Sequence, residues 1–152
     1  MILISYAQNT RISLAGFIIF LASCNPSGNT AGDREYQLKL DNYFLAGKRL
    51  YETKCSNCHQ AEGTGLGSLY PPLNNSDYLK SDPLRIVCIS KWGLKGELVV
   101  NGVQYNQVMP ANEKLTQLEI AEISTYVLNS WGNKYGLVTI DSVRVRLDSC
   151  AR

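Results

Sequence analysis

The sequence predicts a mainly helical domain that carries one small β-hairpin and a short helical extension at its C-terminal end. Three observations carry this prediction. Tyr43, Phe44, Gly47, Leu50 and Tyr51 recur at the spacing of one helix face. Thr116 and Glu119 form a capping-box signature ahead of an apolar face made by Ile120, Ile123 and Val127. The run Leu98 to Tyr105 carries Asn101-Gly102 at its centre, the dipeptide of a two-residue hairpin turn.

Taken in order, the chain opens on an export signal. Arg11 supplies the positive flank, and Ile12 to Ala22 is an apolar run. That run is too short to cross a bilayer, which needs about 20 residues. Leu21-Ala22-Ser23-Cys24 resembles a bacterial lipobox, in which small residues precede a cysteine that is diacylated and becomes the new N-terminus. Residues 1–23 are thus expected to be a lipoprotein signal peptide, with Cys24 the site of lipidation. Residues 24–37 are read as a flexible tether, because Asn25 to Asp33 is rich in Gly, Ser, Asn and Pro. The domain proper is placed at 38–133 and a C-terminal extension packed on it at 134–152. This arrangement puts the domain on the periplasmic side of a bacterial membrane, held by its lipid.

The first helix is expected to start near Asp41 or Asn42 as N-cap and to run into Cys55-Ser56-Asn57-Cys58-His59. Gly63, Gly65 and Gly67 follow without a preceding strand or a helix pattern after them, so they are not a phosphate loop. Tyr70-Pro71-Pro72-Leu73 is a rigid run. Asp82 with Pro83 at the first helical position opens a second helix, buried through Leu84, Val87 and Cys88 and closed by Gly93. After the hairpin comes Met109-Pro110 on a turn. The helix from Thr116 to Trp131 is stapled by Leu115 and Ile120 and is expected to cap at Gly132. Thr139 then caps a short helix with Val143 and Leu147 that ends near Cys150.

Composition bounds the function. The chain has 152 residues, 45% hydrophobic and 18% charged, enough for one domain with an ordinary core. Its net charge of +2 does not point to nucleic acid. Removing residues 1–23, whose one charged residue is Arg11, takes 15 basic residues to 14 against 13 acidic, a net +1.

The chemistry lies in Cys55-Ser56-Asn57-Cys58-His59, the attachment pattern of a c-type haem. Each thiol adds across a vinyl group to form a thioether. The two-residue gap matches two vinyls on one edge of the macrocycle, and the histidine binds the iron. At this chain's composition such a match arises by chance in roughly one chain in a thousand of this length. A zinc knuckle needs further Cys or His ligands at fixed spacing, and His59 is the chain's single histidine. A thioredoxin-like pair needs an alternating strand-helix pattern, which is absent from the sequence. The second axial ligand falls to Met109 by elimination, since the other methionine, Met1, belongs to the segment expected to be removed. A rigid proline turn beside His59, Pro72 within it, presents a backbone carbonyl to the other imidazole nitrogen and sets its tautomer.

At this point the chain resembles a class I cytochrome c. The matching parts are the Cys55–His59 motif, Gly47 and Tyr51, Tyr70-Pro71-Pro72-Leu73, Val108-Met109-Pro110, and Tyr126 through Asn133 ending in Trp131-Gly132-Asn133. The resemblance implies an all-α fold in which the N- and C-terminal helices cross through Gly47 and Tyr126. It implies one covalent haem c with His59 and Met109 as axial ligands, and Tyr105 near the methionine face, against a propionate or the sulfur. The tail after Asn133 departs from the minimal pattern of the family.

Two cysteines remain, Cys88 and Cys150, an even pair in an exported protein, and a disulfide between them is expected to pin the tail across the domain. The function that follows is a membrane-tethered carrier of single electrons between respiratory partners met transiently. With both axial positions filled by protein, it is not itself an enzyme. The alternatives are the cytochrome subunit of a larger dehydrogenase, oxidase or nitrite reductase complex, a haem enzyme with an open distal site, and a redox or gas sensor in which Met109 is displaced.

Overall fold

The computed structural model describes residues 30–150. The expected signal peptide, Cys24 and the first part of the expected tether lie outside the described residues. Among the described residues no helix is long and apolar enough to cross a membrane.

Helix α1 (Ala31–Lys54) begins well before Asp41. Its N-cap is Thr30, whose hydroxyl accepts from the Asp33 N–H at 3.2 Å. The Asp33 carboxylate accepts in return from the Thr30 N–H at 2.9 Å. This capping box satisfies two orphan donors at the helix start. Tyr36 anchors the first turns from a distance, its hydroxyl accepting from the Leu137 N–H at 3.1 Å. The expected tether of 24–37 is therefore corrected: from Ala31 onward it is helix, and Asp41 and Asn42 lie inside α1.

Helix α1 runs into α2 (Ser56–His59), a single turn. The short α3 (Asp77–Ser81), which no sequence period marks, is capped by Ser76, whose hydroxyl accepts from the Leu79 N–H at 3.3 Å. Helix α4 (Arg85–Trp92) starts one turn after Asp82, with the Arg85 N–H bonded to the Asp82 carbonyl at 3.1 Å. Pro83 thus lies in the turn before the helix and not at its first position.

Strands β1 (Leu98–Val100) and β2 (Val103–Tyr105) pair antiparallel with Leu98 opposite Tyr105 and Val100 opposite Val103. Asn101 and Gly102 take φ of 51° and 76°, the positive pair that a two-residue turn matched to strand twist requires. Asp77 and Asn101 exchange backbone-to-side-chain bonds of 2.8 and 3.0 Å, which tie the hairpin to α3.

Helix α5 (Gln117–Leu128) is almost wholly buried from Ile120 to Leu128 and crosses α1. Thr116 and Glu119 form its capping box. Leu115 and Ile120 are both buried in the core. The helix stops at Leu128, earlier than the expected end at Trp131. Asn129 ends it: its amide donates to the Thr125 and Gly136 carbonyls, and its carbonyl oxygen accepts from the Tyr135 and Gly136 N–H groups. A side chain that binds three backbone groups of the following loop and one carbonyl of the last helical turn commits the chain to turn. Gly132 therefore follows the C-cap and does not form it.

Helix α6 (Ile140–Asp148) is capped by Thr139 and packs on α4 and α5 through the fully buried Val143. Cys88 and Cys150 are disulfide-bonded, with Cα atoms 5.7 Å apart across a separation of 62 residues. Around the α1–α5 crossing, Phe44, Tyr51, Tyr126 and Trp131 pack ring on ring at centroid distances of 5.1 to 5.6 Å. These arrangements favour tilted and edge contacts over stacking.

Candidate functional site

The turn that follows α1 builds the first part of the site. The N–H groups of Cys58 and His59 both bond the Cys55 carbonyl, at 3.2 and 3.0 Å. One helical turn puts residues three and four apart on the same side, so Cys55, Cys58 and His59 share a face. Both cysteines are half-buried, and neither is in a disulfide.

His59 is 8% exposed. Its Nδ1 lies 3.0 Å from the Pro71 carbonyl oxygen. A carbonyl can only accept, so Nδ1 carries the proton and Nε2 keeps its lone pair free. Burial is the larger influence on this imidazole and holds it below the usual 6.5, while the bond to Pro71 acts the other way. The carbonyl comes from Pro71. Pro72, the proline expected against the cofactor, lines the cavity next to it.

Gly65 makes this possible. It has φ of +68°, and a β-carbon there would stand 2.2 Å from the Tyr70 carbonyl oxygen and 2.8 Å from that of Pro71. The backbone of 70–71 therefore lies directly on the glycine, which supports the carbonyl that holds His59. Gly63 binds the far end of the same loop, its carbonyl accepting from the Leu73 and Asn74 N–H groups at 2.7 and 3.0 Å. Gly63 and Gly65 thus shape the loop around the site, whereas a β-carbon at Gly67 would meet nothing within 4 Å.

Met109 reaches the site from the other half of the chain. Its backbone forms a two-bond bridge with Leu94, at 2.9 and 3.0 Å. Gly93 approaches so closely that a β-carbon would lie 2.4 Å from the Met109 carbonyl oxygen. The segment carrying the thioether is thus clamped to the end of α4.

These groups converge on one cavity of about 980 Å³, counting the space at its open mouth. Cys55, Cys58, His59, Pro72, Tyr105 and Met109 all line it. Tyr105 is 6% exposed and belongs to the wall that the hairpin supplies. The rest of the lining is mainly apolar, including Tyr51, Leu79, Ile86, Ile123 and Val127. Tyr51, Ile123 and Val127 are helix-face residues that periodicity marks as core without saying that they face a cavity. The Tyr51 hydroxyl donates to the Gln60 carbonyl at 2.6 Å, and burial raises its pKa far above the ordinary 10.0. Cys88 and Cys150 stand apart from this site, in the bond that fastens α6 to α4.

Two thiols and an imidazole on one helical turn, facing an apolar cavity that also receives a thioether, define a protein built to hold haem covalently. The donor set and the apolar walls fit that group. The family model for cytochrome c matches residues 44–131. The chain belongs to the cytochrome c family, as a class I protein with one attachment motif, and its cofactor is covalently bound haem c.

Relatives agree. Cytochrome c-552 of Thermus thermophilus is 31% identical over 91 residues, 57% of this chain and 69% of that protein. The cytochrome c subunit of the quinone alcohol dehydrogenase of Gluconacetobacter polyoxogenes is 28% identical over 143 residues, 87% of this chain and 30% of that subunit. The fructose dehydrogenase cytochrome subunit of Gluconobacter japonicus is 28% identical over 102 residues, 64% and 21%. This chain thus spans less than a third of the two dehydrogenase subunits.

Proposed function

We propose that this chain is a one-haem electron carrier whose iron is held axially by His59 and Met109. The observation that carries the reading is that both side chains line the cavity that receives Cys55 and Cys58. Bound haem supplies a one-electron ferric–ferrous couple. The protein's part is to fix and insulate it. Cys55 and Cys58 would hold the haem covalently, the Pro71 carbonyl fixes the proton on Nδ1 so that Nε2 of His59 keeps the lone pair that would hold the iron, and the Leu94 bridge fixes the segment that carries Met109. A thioether opposite an imidazole favours ferrous iron and raises the potential. With His59 and Met109 both holding the iron, no position would remain for a substrate, and the role would be carrier and not catalyst.

The ligand-free ferric protein tests this directly. A weak far-red absorption from iron–thioether bonding is expected, against a high-spin spectrum for an enzyme or sensor. Met109→Ala should lower the potential and admit carbon monoxide. Wild-type potential with continued exclusion of carbon monoxide would rule the pair out.

A second reading, the cytochrome subunit of a larger dehydrogenase complex, is favoured by the likeness to the alcohol dehydrogenase subunit across 87% of this chain. Purification from gently solubilised membranes distinguishes the two: a subunit copurifies with a dehydrogenase chain at fixed ratio, a free carrier does not. We also propose that Cys24 carries lipid on the periplasmic side. Cys24→Ser should then move the protein to the soluble periplasmic fraction, and membrane retention of that variant would contradict it.

A further inference from the structure

Asp82 is shared by two guanidinium groups. Arg146 of α6 bonds its Oδ2 through Nη2. Arg85 of α4 stands 3.9 Å from the same oxygen through Nε. The Arg85 guanidinium also lies over the Tyr78 ring, with Cζ 3.9 Å from the ring centroid. Tyr78 belongs to the wall of the haem cavity, as do Ile86, Ile89 and Ser90, which follow Arg85 on α4. A chain of contacts therefore runs from the C-terminal extension to the cavity: Arg146, Asp82, Arg85, Tyr78.

The charges do not cancel. Two cations share one carboxylate, leaving one positive charge in surplus. The Nε atoms of Arg85 and Arg146 are buried without a hydrogen-bond partner among the described residues. The side chains of Arg85, Arg146 and Asp82 are 24, 32 and 35% exposed, so solvent screens them less than it would on an open surface. The aromatic face holds the Arg85 cation against the cavity wall. By contrast, Arg144 on α6 pairs with Asp141 in open solvent, at 61 and 79% exposure, and is screened.

The extension is fastened to the α4 segment twice, by the Cys88–Cys150 disulfide and by the Arg146–Asp82 bond. Cys150 lies one turn beyond Arg146, so the disulfide holds the arginine in reach of its carboxylate.

We propose that Arg146 is a positioning residue for the haem potential. By neutralising Asp82, it leaves Arg85 an uncompensated cation at the cavity wall. A positive charge there is repelled more by ferric than by ferrous haem, so it favours the reduced state and raises the potential. The C-terminal extension thus acts on the haem through charge as well as through packing. The proposal rests on haem occupying the cavity and is independent of which residue is the second axial ligand.

The test is a spectroelectrochemical titration of the haem-loaded protein. Arg146→Gln and Arg85→Gln should each lower the potential. At a fixed applied potential the ferrous-to-ferric ratio should fall about threefold, the order that Coulomb's law allows for one charge in partly screened surroundings. Asp82→Asn should raise it by a similar factor, and Arg146→Lys should restore the wild-type value. Replacing Cys88 and Cys150 together by Ser should lower the potential as Arg146→Gln does, and adding Arg146→Gln to that variant should change nothing further. A merely structural role would lower the thermal midpoint of every variant and leave the potential where it was. Should Arg146→Gln not take up haem, Arg85→Gln compared with Asp82→Asn carries the same contrast. Unmoved potentials, or shifts of one sign for Arg146→Gln and Asp82→Asn alike, would overturn the proposal.

Discussion

Gly47 lies directly against the backbone of Glu122. A β-carbon at Gly47 would stand 2.0 Å from the Glu122 carbonyl oxygen and 2.9 Å from the Tyr126 β-carbon. The crossing of α1 and α5 is therefore set by a missing side chain, and the aromatic cluster beneath the haem cavity depends on it. Gly47→Ala gains a little helix propensity and loses much more to overpacking. We expect a net cost of about 3 kcal/mol, read as a drop in thermal midpoint on the order of 10 °C. An unchanged midpoint would show that the crossing is looser than the backbone contact implies.

The loop glycines offer a paired comparison. Gly65→Ala should displace the Pro71 carbonyl and loosen His59, because the new methyl group would meet the Tyr70 and Pro71 oxygens at 2.2 and 2.8 Å. Gly67→Ala meets nothing within 4 Å and bears only the strain of φ +53°, about 1 kcal/mol. The haem-to-protein absorbance ratio after expression should fall for Gly65→Ala and hold for Gly67→Ala. Equal loading of both would detach the Pro71 carbonyl from haem binding.

Glu119 predicts an acid-side loss of stability. Its carboxylate accepts from the Thr116 N–H at 2.8 Å and from the Thr116 hydroxyl at 2.9 Å. These bonds, the backbone one first, hold it below its ordinary 4.5. Because the folded value is depressed, the unfolded chain binds more protons in that window, and stability rises with pH through it. The contribution is complete above 4.5 and is lost as pH falls through the lower folded value. Denaturant midpoints measured at several acid pH values should show this slope, and Glu119→Gln should flatten it. An identical slope in the variant would assign the acid sensitivity to other carboxylates.

The Cys88–Cys150 bond closes a loop of 62 residues. Chain entropy alone gives it roughly 4 kcal/mol, a ceiling that residual structure in the unfolded state reduces. A thiol reductant, which leaves the haem thioethers intact, should therefore lower the thermal midpoint and fray α6 first. Hydrogen exchange should rise in 140–148 before it rises in α5. Simultaneous exchange in both helices would mean that α6 is held by packing at Val143 more than by the bond.

Local chemistry determined a large part of this protein. The Cys55–His59 turn, the Thr116–Glu119 box and the Asn101-Gly102 hairpin each act within five residues, where bonding and backbone preference are carried by the residues themselves. They were legible for that reason. The start of α1 was hidden because Thr30 and Asp33 sit in a stretch whose composition reads as tether, and because the Tyr36 hydroxyl is anchored by Leu137, 101 residues away. Helix α3 is too short for any period and depends on Asn101 binding Asp77 from across a separation of 24 residues. Which proline serves His59 is a matter of carbonyl direction, and that follows from Gly65 lying against the 70–71 backbone. Asn129 ends α5 through bonds to a loop that exists only once folded. Residue types thus named the candidate donors, Cys55, Cys58, His59 and Met109. Only tertiary packing could bring the thioether into their cavity and set Arg85 and Arg146 around one carboxylate, because those distances depend on how separate helices meet and not on any pattern along one of them.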